Sequence, residues 1–162
     1  MLRSCGVAFA NLPLADGPEL AEALRELDLL TVVPAVRPED LAAAVTLREA
    51  LRRAMTAAAL ALPLAARDVE TINSYAADEP PTVALTTAGG VSRTATGPVR
   101  CALAAVARDG IDAIARRAKD LRQCEGCSAL FLDDSRGGRR RWCSMSRCGN
   151  RAKVAGYRSR QR

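Results

Sequence analysis

The chain has 162 residues, 49% of them apolar and 26% charged, with a formal net charge of +6. That length suits one domain of ordinary size, or one domain and a small module. No apolar run reaches the roughly 18 residues of a membrane span, and Met1 to Leu14 lacks the unbroken apolar stretch of a secretory leader, so a cytoplasmic protein is expected.

Alanine supplies 32 residues, and there are only five aromatics. A thin core of leucine and valine on alanine-rich helices follows. Asp16-Gly17-Pro18-Glu19 predicts a helix start: Asp16 as cap, Glu19 three residues on, proline in the first turn. Leu20, Ala23, Leu24, Leu27 and Leu30 continue at helical spacing. Val32 to Val36 breaks the pattern with Pro34. Arg37-Pro38-Glu39-Asp40 opens a second helix, acidic in its first turn, with Leu41, Val45, Arg48, Leu51, Met55 and Ala58 on one face. Pro63 stops it, and a third helix carries Val69, Ile72 and Ala76.

Val83, Leu85 and Thr87 alternate, Gly89-Gly90 offers a turn, and Val91, Arg93 and Ala95 continue, which predicts a small hairpin. Gly97-Pro98 starts a long helix along Val99, Leu103, Val106, Gly110, Ile114 and Leu121, with Gly110 a point where it can kink. Cys5 and Cys101 stand alone and read as small buried apolar residues. No nucleophile, base and oxyanion donor assemble in this part, so no enzyme is expected.

Charge divides the chain. Residues 1–115 carry 10 basic and 14 acidic side chains; residues 116–162 carry 14 basic and 4 acidic. Four of the six cysteines lie in the basic part, and the chain has no histidine, so any zinc site must be built from thiolates. Two modules are expected: a helical domain over 1–118, able to fold by itself, and a small metal module over 119–162.

The second module reads Cys124-Glu-Gly-Cys127, fifteen residues, then Cys143-Ser-Met-Ser-Arg-Cys148. Each close pair can point two sulfurs at one tetrahedral ion, and the intervening residues suffice for a hairpin that returns the second pair. One structural zinc on Cys124, Cys127, Cys143 and Cys148 is the expectation; a redox pair is the rival. A thioredoxin-type pair follows a strand and opens a helix, whereas this one is expected to end a helix and precede an apolar strand. The hairpin is placed on Ser128–Leu132 and Arg139–Trp142 around an Asp/Ser/Gly turn, with Leu130, Leu132 and Trp142 forming a tiny core over the metal. The overall fold class is mainly α: an alanine-rich helical domain with a small β-hairpin, then a zinc-bound ββα-type finger.

Trp142-Cys143-Ser144-Met145 followed by Cys148-Gly149-Asn150-Arg151 resembles the CGNR zinc-finger family, named for that tetrapeptide. Leu130-Phe131-Leu132-Asp133, the arginine run before Trp142, and Ala152-Lys153 extend the likeness. The resemblance implies an N-terminal alanine-rich helical domain called ABATE and a role in stress-induced bacterial transcription. Phe9-Ala-Asn11 and the run from Asp40 to Leu51 are similar to that domain; Leu12 stands where a threonine often follows the asparagine.

A helix after Cys148 would place Arg147, Arg151, Arg158 and Arg162 on one stripe, with Lys153 and Arg160 opposite. Arginine forks suit phosphates and guanine edges, and asparagine suits adenine. The nucleic-acid candidates are Arg139, Arg140, Arg141, Arg147, Asn150, Arg151, Lys153 and Arg158. For Asn150 a bond to its own turn's backbone is the alternative. Duplex DNA is the expected partner, with RNA, an acidic protein surface or a merely solvated basic tail as rivals. A homodimer would help a single finger bind specific DNA.

Overall fold

The computed structural model describes residues 4–32 and 35–160. Along them run α1 (Cys5–Phe9), α2 (Gly17–Glu26), α3 (Pro38–Ala59), α4 (Ala66–Ala76), a hairpin of β1 (Thr82–Leu85) and β2 (Val91–Thr94), and α5 (Pro98–Arg117). A 3-10 turn (Ala118–Asp120) leads into β3 (Leu121–Gln123), which pairs antiparallel with β4 (Leu130–Leu132). A π-helical turn (Met145–Gly149) runs into α6 (Asn150–Arg160). The fold is mainly α with two small hairpins, as the composition implies. No helix among the described residues is long and apolar enough to cross a membrane.

The caps act where the sequence places them. Asp16 accepts a bond from the Glu19 N–H at 2.8 Å, and Glu19 reaches back to the Ala15 N–H at 2.7 Å. Pro38 and Pro98 occupy the first turns of α3 and α5. Proline 34, expected to break the helical pattern, lies outside the described residues.

The core forms where α3 and α5 meet. Ala44, Leu47, Ala50, Leu51, Ala54 and Met55 are buried from α3, and Val99, Ala102, Leu103, Val106 and Ala107 from α5. Small side chains let the backbones come close. Between α1 and α5 a Cβ on Gly6 would lie 2.6 Å from the Gly110 nitrogen. A Cβ on Gly110 would meet Leu51 Cδ2 at 2.4 Å. Gly110 does not interrupt α5; its missing Cβ leaves room for Leu51 of α3, at a propensity cost of roughly 1 kcal/mol against alanine. Asp68 at the start of α4 is buried and takes a forked bond from Arg53 of α3, with Nη2 at 2.7 Å. That forked bond ties α4 to α3.

The hairpin β1–β2 has the register Val83↔Arg93 and Leu85↔Val91. Its loop spans Thr86–Gly90 rather than a two-residue Gly-Gly turn, closed by Thr86 N–H to Gly90 O at 2.8 Å.

The second hairpin differs from the sequence expectation. Ser128–Leu132 does not pair with Arg139–Trp142; β4 pairs with β3, in the register Leu121↔Leu132 and Gln123↔Leu130. The reason is apolar. Leu121 and Leu130 are buried in the helical core, with Leu132 packed against it. Phe131, one residue out of phase, faces the other way into a small cluster with Cys124, Cys148, Ala129, Trp142 and Cys143. The tiny core over the cysteines thus contains Phe131 and Trp142, and not Leu130 or Leu132. Asn11 clamps this strand: its Nδ2 donates to Leu130 O at 2.9 Å, and its Oδ1 accepts from Leu130 N–H at 2.8 Å. Arg52 of α3 donates to Ser128 O at 3.1 Å.

Candidate metal centre and nucleic-acid interface

The first cysteine pair sits in the loop between β3 and β4. Cys124 N–H donates to Ala129 O, and Ser128 N–H to Cys124 O, both at 2.8 Å. Ser128 closes this turn in the left-handed region, at φ 58°. Contrary to expectation, the pair follows a strand and not a helix, because residues 121–123 are extended. No helix opens after it either, so the thioredoxin-type arrangement is absent all the same.

The second pair is held by the π turn. Cys148 N–H donates to Ser144 O at 3.0 Å, and the Ser144 hydroxyl accepts from Arg147 N–H. Between the pairs, Asp133 organises the loop: its carboxylate accepts from Ser135 N–H at 3.0 Å and from Arg140 N–H at 2.8 Å. Those bonds take Arg140 out of any strand ladder. Arg141 O accepts from Glu125 N–H at 3.1 Å, which wraps residues 139–142 around the first cysteine turn.

The four sulfurs converge. All lie within 4.8 Å of one another, with Cys127 to Cys143 at 3.6 Å and Cys143 to Cys148 at 3.9 Å. A tetrahedron with Zn–S bonds of about 2.3 Å has edges of about 3.8 Å, so the donor set fits zinc in type, number and size. Its electrostatics agree. Burial pushes the Cys124 thiol up, but backbone N–H groups of Cys143 and Gly126, with the side chain and backbone of Cys127, outweigh it and bring the thiol to about 6. Burial and the neighbouring sulfurs push Cys143 to about 12. One thiolate thus blocks the next, and a divalent cation removes that conflict. The four cysteines form the zinc-binding site of the finger, and their four sulfurs would fill a tetrahedral ion's coordination. Cys5 and Cys101 lie apart from it and are half-buried.

The predicted cationic residues are all exposed, but they do different things. Arg141 is ion-paired with Glu125 and lies over the Trp142 ring at 5.1 Å. Arg140 donates to Cys143 O at 2.9 Å and stacks over Phe131 at 5.1 Å. Both brace the finger. Arg139, Arg147, Arg151, Lys153 and Arg158 have no ion-pair partner among the described residues, in contrast to most arginines of the helical part. Seven residues apart, Arg151 and Arg158 share a face of α6, and Lys153 lies across the helix. Arg147 lies in the π turn that precedes α6, and Arg162 is outside the described residues. Asn150 is exposed and donates to Ser146 O at 3.3 Å, a long bond within its own turn.

Sequence reasoning missed Arg136, an exposed cation in the Asp133–Gly138 loop without an ion-pair partner among the described residues. The signal was available: no acidic residue follows Asp134. It also missed Arg117, which bonds Asp120 at 3.1 Å and Asp134 as well, tying the end of α5 to both sides of the β3–β4 hairpin.

The family model of ABATE, described as "Putative stress-induced transcription regulator", matches residues 6–117. The chain belongs to the ABATE family. The model of the CGNR zinc finger matches residues 121–161, which contain the whole cysteine cluster. A search of curated proteins finds no match. The two family ranges divide the ABATE protein at the end of α5, while its packing continues past that point through Leu121 and Leu130.

Proposed function

We propose that this ABATE protein is a transcriptional regulator that binds duplex DNA through the basic face of its CGNR finger. The observation that carries the reading is the combination of a four-cysteine cluster with exposed cations lacking acidic partners on the residues that follow it. Cys148 sits two residues before α6, so zinc fixes where that helix begins and how Arg151, Lys153 and Arg158 leave the finger. The loop cations Arg136 and Arg139 add charge from the other side of the second cysteine pair. Arginines in such a frame suit phosphates and guanine edges. Duplex DNA is favoured over single-stranded RNA because Phe131 and Trp142, two of the finger's aromatics, are occupied within its own small core.

The test is a salt titration of binding to a labelled duplex, with RNA of the same sequence as competitor. If all five of these cations reach phosphates, the slope of log K against log salt is about −4.5. Arg151→Ala and Arg158→Ala should each weaken binding to every duplex and lower the slope by about one. A slope near zero with intact zinc, or preferential displacement by RNA, would overturn the reading.

A further inference from the structure

Helix α6 carries a single aliphatic side chain larger than alanine, Val154, and leaves it 49% exposed. Val154 belongs to neither apolar cluster, whereas Ala152, on the other side of the helix, is half-buried. With about 100° between successive residues, Val154 stands about 40° from Asn150 and from Arg158, and about 60° from Arg151. Arg151 and Arg158 have no ion-pair partner among the described residues, so the cationic arc of the helix has a short apolar side chain at its middle.

A lone exposed valine is ordinary on a protein surface. What sets this one apart is its company. An anionic partner that both arginines reach must also offer apolar surface between its charges. Duplex DNA does: phosphates run along the two rims of the major groove, and the thymine C5-methyl group stands on its floor. The 11 residues of α6 make a rod about 16 Å long and, with side chains, about 10–12 Å across, which suits a groove about 12 Å wide. The long arginines extend to the rims from an arc whose short central residue faces the floor.

We infer that Val154 is a specificity-determining residue that packs on a thymine methyl group in the major groove, an inference that rests on the duplex-DNA reading above. Asn150, one turn earlier on the same arc, suits the adenine edge, so an A·T-containing site serves both residues. Burial of one methyl group is worth roughly fourfold in affinity. RNA offers no equivalent: uracil lacks the methyl, and the deep, narrow major groove of an RNA duplex does not admit side chains to its base edges.

The test selects duplexes from a random pool with the full zinc-loaded chain. The best duplex is then remade with deoxyuridine at each thymine in turn, which removes the methyl group and keeps the base pairing. At one or two thymines the replacement should weaken binding about fourfold. Val154→Ala should bind the parent and the deoxyuridine duplex alike. Lys153→Ala, which removes charge and not the methyl contact, should weaken both and keep their difference. Both positions are exposed, so neither change threatens folding; circular dichroism and one zinc per chain confirm this. Selection without enrichment, no deoxyuridine effect at any thymine, or an undiminished effect in Val154→Ala overturns the inference and leaves duplex binding standing. A pool that is not bound at all, or is displaced preferentially by RNA, overturns the DNA reading and this inference with it.

Discussion

Cutting the chain after Arg117, where the ABATE match ends, is expected to unfold the helical domain. The cut removes Leu121 and Leu130, which are 0% and 3% exposed within the same core as Leu47, Leu51 and Val106. Loss of a buried leucine costs about 2–5 kcal/mol at each site. It also strands the Asn11 side chain, which exchanges two bonds with the Leu130 backbone at about 0.5–1.5 kcal/mol each. Together these amount to about 5–13 kcal/mol, comparable with the whole stability of about 5–15 kcal/mol expected of such a domain. The assay compares thermal unfolding, by circular dichroism, of chains ending at Arg117 and at Asp134. The longer chain keeps β3 and β4 but has only one cysteine pair, so zinc cannot explain a difference. A cooperative transition is expected for the longer chain and a broad, low-amplitude one for the shorter. Transitions within about 5 °C of each other would mean that β3–β4 contributes less than about 1–2 kcal/mol, and the packing argument would fail.

Two further outcomes follow from the same contacts. Cys143→Ser should release zinc, measured by elemental analysis against one zinc per wild-type chain, while Cys5→Ser and Cys101→Ser retain it; full zinc in Cys143→Ser would contradict the four-cysteine assignment. Asp68 is held below the usual carboxylate range by its bond with Arg53, against the opposing effect of burial. Its stabilisation is therefore present above about pH 4 and is lost as pH falls through the depressed value. Asp68→Asn should lower stability by about 1–3 kcal/mol at pH 7 and flatten the fall in melting temperature between about pH 4 and 2; an unchanged acid limb would exclude the pair as its source.

What was legible in the sequence was local. Asp16 and Glu19 announce a helix start within four residues, and the cysteine pairs announce a metal within their own spacing. What escaped depends on partners far along the chain. Residues 128–132 read as pairing forward with 139–142, and they pair backward with 121–123 instead. The choice is made by the helical core and by Asn11, 119 residues from Leu130. Gly110 reads as a weak point in a helix until Leu51, on α3, is seen to fill the space a side chain there would take. Asp68 gives no sign of burial, because the pattern of its own helix cannot show that Arg53 waits on α3. Equal-looking arginines at 139, 140 and 141 separate only once Glu125, Phe131 and Trp142 are in place.

The three residues of β4 join the finger to the helical body. Leu130 and Leu132 enter the helical core, and Phe131 between them enters the cysteine cluster. A strand cannot turn one face without turning the other. Zinc, by closing the loop at Cys124 and Cys127, stabilises the strand pairing that also buries Leu121 and Leu130 in the body. The coupling is reciprocal: packing that holds β4 lowers the cost of bringing Cys124 toward Cys148, so metal affinity and the stability of the helical body are linked. Arg117 adds a second tie at Asp120 and Asp134, on the far side of the hairpin. The basic helix α6 therefore starts directly after Cys148, the last ligand of a cluster whose other end is joined to the helical core through β4.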